Sequence, residues 1–225
     1  LDMKNLTLLI PAKKEKESLP VVLEEIKKLD CSIKVILEKN DVETINSIKD
    51  FNCEIVYQNG KGYGDALIDG IDSVDTQFFC IFNADGSFNP KELDAMKAKL
   101  IDTKSNFIFA SRYEKNSGSD DDTFVTLIGN YFFSYLCKIL FNIKIKDILY
   151  TFVMGETQTA KELKLKQTDF TFCIELPIKA HLKMLKITSI KSFERPRIAG
   201  QKKVNAFKDG LHILIYIFRL FFKFK

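Results

Sequence analysis

The amino-acid sequence predicts an α/β fold: a doubly wound, mixed but mostly parallel sheet flanked by helices, followed by a C-terminal amphipathic helix. Three observations predict it. Short, continuously apolar segments, typical of strands buried on both faces, alternate with amphipathic segments between Leu6 and Phe82. Polar residues follow several of these segments, where the carboxyl ends of parallel strands would meet. The end of the chain has apolar side chains at helical spacing.

The elements of the first half follow from the apolar segments. The first strand is closed by Pro11, and Ser18 is the expected N-cap of the first helix. A glycine-rich segment, residues 59–64, precedes the third helix, where the chain has to turn tightly. In chain order, the predicted elements are a strand at Leu6–Ile10, a helix after Ser18, a strand at Ile33–Leu37, a helix at Val42–Lys49, a strand at Glu54–Tyr57, a helix at Asp65–Ile71 and a strand at Gln77–Phe82.

The second half contains one long apolar segment and one polar segment. We expect a helix at Glu92–Leu100, a strand at Asn106–Ala110 and a long helix from Phe124 to Phe141. Polar residues such as Lys138 interrupt the long helix and make it a poor membrane span. Residues 114–123 are polar and contain three consecutive aspartates, and they are predicted to form a mobile, solvated loop.

The positive charge of the chain is concentrated near its C-terminus. The net charge is +4, and residues 191–225 contain nine basic and two acidic residues. A basic tail on a mildly acidic body indicates an anionic partner. The basic residues alternate with Phe, Leu and Ile at helical spacing, which favours an anionic membrane surface over nucleic acid. Homo-oligomer formation is left open.

The five cysteines indicate a reducing compartment, because they are widely spaced and form no Cys-x-x-Cys pair. No signal peptide is recognised, since the first apolar segment is short and ends at Pro11. A helix from Ala206 to Lys225 carries Leu211, Ile215 and Phe222 on one face, with about 12 strongly apolar residues, too few to span a bilayer. We predict a cytoplasmic protein associated peripherally with the inner face of the membrane. The alternative for this helix is packing on the domain.

Asn83-Ala84-Asp85 follows the most apolar short strand and carries the first candidate chemistry. Two oxygen-bearing side chains two residues apart suit a hard cation such as Mg²⁺ or Mn²⁺, which keeps open positions for diphosphate oxygens. Ser87 adds another oxygen, and Gly86 permits a tight turn. A plain turn, in which Asn and Asp accept hydrogen bonds from local amides, is the alternative.

The order of several short motifs resembles one enzyme family. Leu9-Ile10-Pro11-Ala12-x-x-Glu15, Gly60-Lys61-Gly62, Asn83-Ala84-Asp85 and Ala110-Ser111-Arg112-Tyr113 together resemble the family-two inverting glycosyltransferases, and among them the dolichyl-phosphate-mannose synthase and polyprenyl-phosphate glycosyltransferase group. The resemblance implies a GT-A fold at residues 1–205, with a nucleotide-sugar-binding half at 1–113 and an acceptor-side half at 114–205. Residues 206–225 remain as an amphipathic membrane-surface helix.

The resemblance also implies residue roles. Glu15 matches an acid that contacts the nucleotide, and Glu38 is the nearest match to one that recognises the base. Asn83 and Asp85 match the family's metal-binding Asp-x-Asp motif, although Asn83 replaces an aspartate. The predicted nucleotide-sugar-binding residues are Pro11, Ala12, Glu15, Glu38, Lys61, Asn83, Ala84 and Asp85; the metal ligands are Asn83, Asp85 and Ser87; the catalytic residues are Asp85, Arg112 and Asp147.

The acceptor is predicted from the chemistry of inversion. A hydroxyl acceptor needs a general base, for which Asp147 is the candidate, whereas a lipid phosphate is already anionic and needs cations to place it. Arg112, Arg195 and Arg197 are the candidate phosphate-binding residues. We therefore expect transfer from a nucleotide-diphosphate sugar to a lipid-linked, polyprenyl-phosphate-like or other membrane-associated acceptor.

Two alternatives stay open. A catalytically weakened nucleotide-sugar-binding or lipid-binding scaffold of the same fold is supported by Asn83, because an amide oxygen is a weaker metal ligand than a carboxylate. A sugar nucleotidyltransferase is disfavoured, because those enzymes usually carry a basic glycine-rich run after the first strand, and residues 12–15 contain no glycine.

Overall fold

A mixed sheet with helices on both faces forms the centre of the protein in a computed structural model that describes residues 2–200 and 205–224. In chain order, the elements are β1 (Leu6–Pro11), α1 (Leu19–Ile26), β2 (Ser32–Leu37), α2 (Val42–Ser47), β3 (Glu54–Tyr57), α3 (Tyr63–Asp72), β4 (Phe78–Ile81), a 3₁₀ turn (Pro90–Glu92), α4 (Leu93–Asp102), β5 (Phe107–Ser111), β6 (Gly118–Ser119), α5 (Phe124–Phe141), β7 (Val153–Glu156), α6 (Thr157–Glu162), α7 (Phe172–Leu182), β8 (Ile187–Lys191), β9 (Phe193–Glu194) and α8 (Ala206–Phe224).

The main sheet has seven strands in the order β3-β2-β1-β4-β7-β5-β8. β1 pairs in parallel with β2 on one side and with β4 on the other. β7 lies between β4 and β5 and is antiparallel to both, while β5 and β8 are parallel. The predicted doubly wound, mostly parallel sheet is therefore confirmed, and β7 and β8 are strands that the sequence did not predict.

Each face of the sheet packs against its own hydrophobic core, which explains the continuous apolar run of β1. Leu9 belongs to one core, with side chains of α3, α5, α7 and α8. Its neighbours Leu8 and Ile10 belong to the other core, with side chains of α1 and α4. Successive side chains of a strand enter opposite faces, so a strand covered on both sides is apolar at nearly every position. The one polar side chain of β1, Thr7, is buried, and its hydroxyl lies 2.7 Å from Thr76 Oγ1.

α5 has the predicted bounds, and its ends are explained by its sequence. Thr123 and Thr126 form a reciprocal capping box at its start. Asn142 takes a left-handed conformation (φ 60°) at its end, a conformation that asparagine tolerates better than most residues. Phe133, Cys137 and Phe141 lie on its buried face.

The C-terminal helix α8 packs on the domain, along α5. Ile213, Ile217 and Leu220 are buried in the same core as the inner face of α5. The Tyr216 hydroxyl donates a hydrogen bond of 3.1 Å to the Glu175 carboxylate, which is itself buried. The inner face of α8 is thus part of the core next to α5. This agrees with packing on the domain, the alternative that the sequence left open for this helix.

One local prediction was confirmed in position and another was wrong. Ser18 is the N-cap residue of α1, as predicted, but its hydroxyl makes no cap hydrogen bond and donates to the Glu15 carboxylate at 2.6 Å. Residues 114–123 are not a solvated loop: they contain β6, which pairs with β9, and their aspartates accept hydrogen bonds from arginine side chains. The ion pairs hold this segment beside the carboxyl edge of the sheet.

Candidate functional site

A cleft of about 700 Å³ opens at the carboxyl ends of β1, β2, β4 and β5. Because the strand order places β2, β1 and β4 side by side, the loops that follow them meet along one edge. The predicted site residues that line the cleft are Pro11, Ala12, Glu15, Glu38, Asn83, Ala84, Asp85, Arg112 and Arg197. The predicted site residues that do not line it are Lys61, Ser87, Asp147 and Arg195.

The loop after β1 is held against the end of β2 by hydrogen bonds. Lys13 Nζ lies 2.7 Å from Glu38 Oε1, so the predicted base-recognition acid is paired with a lysine. The backbone N–H of Lys14, which has a left-handed φ of 54°, donates to Asp41 at 2.6 Å. The Glu15 N–H donates to Thr44 Oγ1 at 3.0 Å, in a buried position. This end of the cleft is therefore rigid and carries both charge signs.

The turn after β4 presents Asn83 and Asp85 to the cleft and hides Ser87. The Ser87 N–H donates to Asp85 Oδ1 at 3.0 Å, and the Asn83 amide nitrogen donates to Ser87 Oγ at 3.2 Å. Ser87 is 1% exposed, so its predicted role as a metal ligand is not supported. Gly86 has a φ of 82°, and a Cβ there would lie 2.4 Å from Ile198 Cδ1. The turn thus requires glycine for two reasons.

At the end of β5, Arg112 lies in a buried cluster of carboxylates. Its Nε and Nη2 donate to the two oxygens of Asp147 at 2.7 and 2.9 Å. Its Nη1 donates to Glu194 at 2.9 Å and to Asp122 at 3.3 Å. The guanidinium also lies 4.4 Å from the centre of the Tyr150 ring. Burial alone would lower the pKa of Arg112, but hydrogen bonding and charge from Asp147 raise it overall.

This cluster corrects two sequence predictions. Asp147 is fully buried and paired on both oxygens with Arg112, so it is not placed to remove a proton from an acceptor. Arg112 borders the cleft, but the donors of its guanidinium are directed to three carboxylates and not to open space. A phosphate would have to displace buried ion pairs to reach it. In this structure both residues hold the cleft in shape.

Arg197 bridges the turn after β4 and the aspartates before α5. Its Nε and Nη2 donate to Asp121 at 3.2 and 2.9 Å, and its Nη1 lies 3.6 Å from Asp85 Oδ2. Hydrogen bonding to Asp121 raises the pKa of Arg197, so it remains a cation. Arg195 takes a different direction: it pairs with Glu25 at 2.7 Å and donates to the Phe88 carbonyl, outside the cleft.

Packing explains why the segment before α3 carries glycines at positions 62 and 64. A Cβ at Gly62 would lie 2.3 Å from the Thr168 carbonyl oxygen, and one at Gly64 would lie 2.1 Å from the Gln167 carbonyl oxygen. The glycines let the segment before α7 approach α3. Lys61 is exposed and does not line the cleft. Its predicted contact with a diphosphate is therefore not supported.

One wall of the cleft is apolar, and sequence reasoning missed it. Tyr63 stacks on Phe170 at 5.1 Å between ring centres, and its hydroxyl lies 2.7 Å from Thr151 Oγ1. Leu149 and Ile213 line the same cleft, the latter from α8. These residues come from four separate parts of the chain, so no local pattern links them.

Asp121 and Asp122 were also missed as cleft residues, and a charge argument could have found them. The basic side chains after β8 lie in an otherwise folded domain, where each cation needs a counter-charge. The three consecutive aspartates before α5 are the largest acidic run that is available. Asp122 accepts hydrogen bonds from Arg112, from Thr126 and from the Tyr113 hydroxyl, the last at 2.7 Å.

The described part of the cleft carries more negative than positive charge. Its lining contains six carboxylates, of Glu15, Glu38, Asp85, Asp121, Asp122 and Glu194, and four cationic side chains, of Lys13, Lys14, Arg112 and Arg197. Among the described residues, no group of three or more His, Cys, Asp or Glu side chains is arranged to hold a metal ion by itself.

The sequence matches the model of a known protein family. The model of the family described as glycosyl transferase family 2 matches residues 7–163, more than half of the chain. The chain belongs to glycosyl transferase family 2. The family match spans the loops after β1, β2, β4 and β5, which form this cleft. The predicted membership of family two is thereby confirmed. No curated protein matches the sequence significantly.

Solved structures similar to this family 2 chain share its fold. Glucosyl-3-phosphoglycerate synthase from Mycobacterium tuberculosis, in complex with Mn²⁺, UDP and glucosyl-3-phosphoglycerate, superposes with a TM-score of 0.76 at 11% identity, over 97% of this chain and 80% of that chain. Mannosyl-3-phosphoglycerate synthase from Rubrobacter xylanophilus superposes with a TM-score of 0.71 at 11% identity, over 95% of this chain and 72% of that chain. At such identities the likeness shows the fold, and the predicted GT-A fold is confirmed.

Proposed function

We propose that this family 2 protein transfers a sugar, with inversion, from a nucleotide-diphosphate sugar to a lipid-linked acceptor that carries a phosphate. The observation that supports the donor assignment is the Asn83–Asp85 turn, which lies at the carboxyl edge of the sheet and faces the cleft. The fold neighbours support the donor class, since the Mycobacterium tuberculosis synthase was crystallised with UDP-glucose, Mn²⁺ and phosphoglyceric acid.

Asp85 and Asn83 are the proposed ligands of a divalent cation, Mg²⁺ or Mn²⁺. Both side chains line the cleft, and the Asn83 hydrogen bond to Ser87 is made by its amide nitrogen, which keeps the oxygen as the ligand atom. When bound, the cation offsets the charge of the leaving diphosphate. The excess of carboxylates in the cleft supports the need for a cation, because without one an anionic donor would be repelled.

The loops after β1 and β2 are the proposed site for the nucleoside. Pro11 and Ala12 provide backbone at the end of β1, and Glu38 is held in place by Lys13. The rigid hydrogen bonds of Lys14 and Glu15 keep this pocket formed without a ligand. A preformed pocket loses less conformational freedom when the nucleotide binds.

Arg197 is the proposed contact for the acceptor phosphate. Arg197 Nη1 lies 3.6 Å from Asp85 Oδ2, while Nε and Nη2 donate to Asp121. A cation at Asp85 would compete with Nη1 for that carboxylate, and Nη1 would then be available to donate to an oxyanion of the acceptor while Asp121 keeps the guanidinium in place. An anionic phosphate attacks without a general base, in agreement with the burial of Asp147. The apolar wall of Tyr63, Phe170 and Leu149 suits the first part of a lipid chain. This acceptor class agrees with the resemblance to the polyprenyl-phosphate glycosyltransferase group.

The experiment is a transfer assay with the full chain, Mn²⁺ and a panel of nucleotide sugars against three acceptors: a polyprenyl phosphate, phosphoglyceric acid and a free monosaccharide. We expect transfer to the polyprenyl phosphate. Transfer to phosphoglyceric acid alone would agree with a phosphate-bearing acceptor but contradict a lipid-linked one. Transfer to the monosaccharide alone would contradict the proposed contact between Arg197 and an acceptor phosphate.

A second candidate function is a binding scaffold that has lost turnover, and Asn83 in the metal-binding turn is the observation that favours it. It predicts that a nucleotide sugar raises the thermal unfolding midpoint while every acceptor remains unmodified. Product formation with any acceptor would exclude it.

A further inference from the structure

The outer sides of α5 and α8 expose an unusual number of large apolar side chains. More than half of the exposed large hydrophobic residues in the described part of the chain lie on these two helices. On α5 they include Ile128, Tyr135 and Ile139, and on α8 they include Leu211, Ile215 and Phe222; all six are at least half exposed. We call the surface formed by these six side chains the α5–α8 face.

The two helices lie side by side, so their apolar stripes adjoin. Gly210 lies against the Phe133 ring near the start of α8, and the Phe221 and Phe141 rings are 6.0 Å apart near the ends of both helices. These contacts show that the helices run in the same direction. Leu136 of α5 and Leu214 of α8 are partly buried and pack against the core between the stripes. The exposed apolar surface is therefore continuous across both helices.

The charges on these helices favour an anionic partner. Lys138 is the only charged residue of α5. On α8, Lys208, Arg219 and Lys223 are exposed and follow one another along one side, and Asp209 is the single acid. Lysine and arginine can bury their methylene stems while their charges reach an anionic surface. Apolar and basic stripes on one helix are the pattern of a helix that lies in a membrane interface.

α5 is placed to lie on a membrane and not to cross it. By length and composition it is the one helix of the described chain that passes as a candidate span, with 28% of that window buried. Its inner side, however, carries Asn130, which donates to the Tyr113 hydroxyl at 2.9 Å, and Ser134, which accepts from the Ile148 N–H at 3.1 Å. Crossing a bilayer would break these bonds and expose the core beneath them.

We propose that the α5–α8 face docks on an anionic lipid surface, with both helices parallel to it. This extends the membrane contact from the C-terminal helix to α5, a helix between β6 and β7. The same two helices also border the cleft: Thr126 and Asn130 of α5 and Ile213 of α8 line it. The docked surface therefore lies directly beside the cleft, and a lipid-linked molecule in that surface has a short path into it.

The test is flotation of the full chain with vesicles of phosphatidylcholine and phosphatidylglycerol, and with vesicles of phosphatidylcholine alone. Ile128→Gln and Ile215→Gln remove one apolar side chain from each helix while keeping helix propensity. Ile101→Gln on α4 is the matched control, since Ile101 is 47% exposed and lies outside the α5–α8 face. The assay contains no sugar donor, so it does not depend on the proposed transfer.

We expect each face variant to lower the partition coefficient about fivefold to tenfold, and the control to leave it unchanged. Lys223→Gln should weaken binding about fivefold to anionic vesicles only. Because the substituted side chains are exposed, all variants should keep the thermal unfolding midpoint of the wild type. The proposal is overturned if the wild type remains unbound, or if Ile128→Gln floats like the wild type. A dimer interface would also overturn the proposal. In that case light scattering would show a wild-type dimer that Ile128→Gln dissociates, and the wild type would not bind vesicles.

Discussion

The two arginines of the cleft differ in how completely their surroundings hold them. Arg112 is 8% exposed and donates to Asp147, Glu194 and Asp122 within 3.3 Å. Arg197 is more exposed; among the described residues its guanidinium donates to Asp121, and it approaches Asp85 only to 3.6 Å. A buried, multiply paired cation is costly to move, whereas a partly exposed pair exchanges partners readily. The sequence predicted phosphate binding for both residues and a catalytic role for Arg112 as well. The structure pairs Arg112 with buried carboxylates, and Arg197 is the one that we propose as the phosphate contact.

The largest effect is expected from removing the structural arginine. Arg112→Met would leave Asp147 buried without a cation, and we expect the free energy of unfolding to fall by about 3–5 kcal/mol. The measurement is denaturant unfolding followed by circular dichroism. Arg195→Met is the control, because Arg195 pairs with Glu25 at the surface and should cost about 1 kcal/mol or less. Equal losses in the two variants would contradict the distinction.

A smaller effect is expected from Arg197→Gln, and it is a gain in metal affinity where Arg112→Met causes a loss of stability. Without the guanidinium near Asp85, a cation meets less competition, and we expect Mn²⁺ affinity, measured by electron paramagnetic resonance, to rise about threefold to fivefold. Stability should change by about 1 kcal/mol or less, since the side chain is partly exposed. Sugar transfer to a phosphate acceptor should fall in the same variant. Weaker Mn²⁺ binding would show that Arg197 supports the metal site and does not compete with it.

The smallest effect concerns pH. Burial raises the pKa of Glu194 above its ordinary 4.5, and Arg112 opposes this only in part. The folded state thus binds this proton more tightly than the unfolded state. The resulting stabilisation is complete below the unfolded-state pKa and is lost as pH rises through the raised pKa. We expect the unfolding free energy of the wild type to fall as pH rises over that range. In Glu194→Gln this contribution to the pH dependence of the unfolding free energy should be absent. Identical pH profiles would contradict the assignment.

Patterns that depend on neighbouring residues were predictable, and those that depend on distant pairs were not. The apolar run of β1 predicted its burial on both faces, and the placement of Asn83 and Asp85 after a strand predicted their position at the cleft. β7 was missed because Val153–Glu156 is short, antiparallel and contains Gly155, which lies against Phe107. No spacing rule could have paired Arg112 with Asp147 or Arg197 with Asp121.

Exposure on a helix was likewise predictable only in part. The periodicity of α8 showed two faces, but it did not show that Ile213, Ile217 and Leu220 complete the core. Deleting the helix would therefore uncover apolar side chains of α5 and α7 and destabilise the fold, in addition to any effect on lipid binding. Point substitutions on the outer side test the membrane contact without that complication.

The central claim is that Asp85 anchors a metal-bound nucleotide at the end of β4. The most direct measurement is calorimetric titration of nucleoside diphosphates, in Mn²⁺ and in chelator, with the wild type, with Asp85→Asn and with Asp102→Asn, an exposed aspartate at the end of α4. We predict that at least one nucleoside diphosphate binds the wild type and Asp102→Asn about tenfold or more tightly in Mn²⁺, and that Asp85→Asn loses this difference. Equal, metal-dependent affinity in all three proteins would contradict the account.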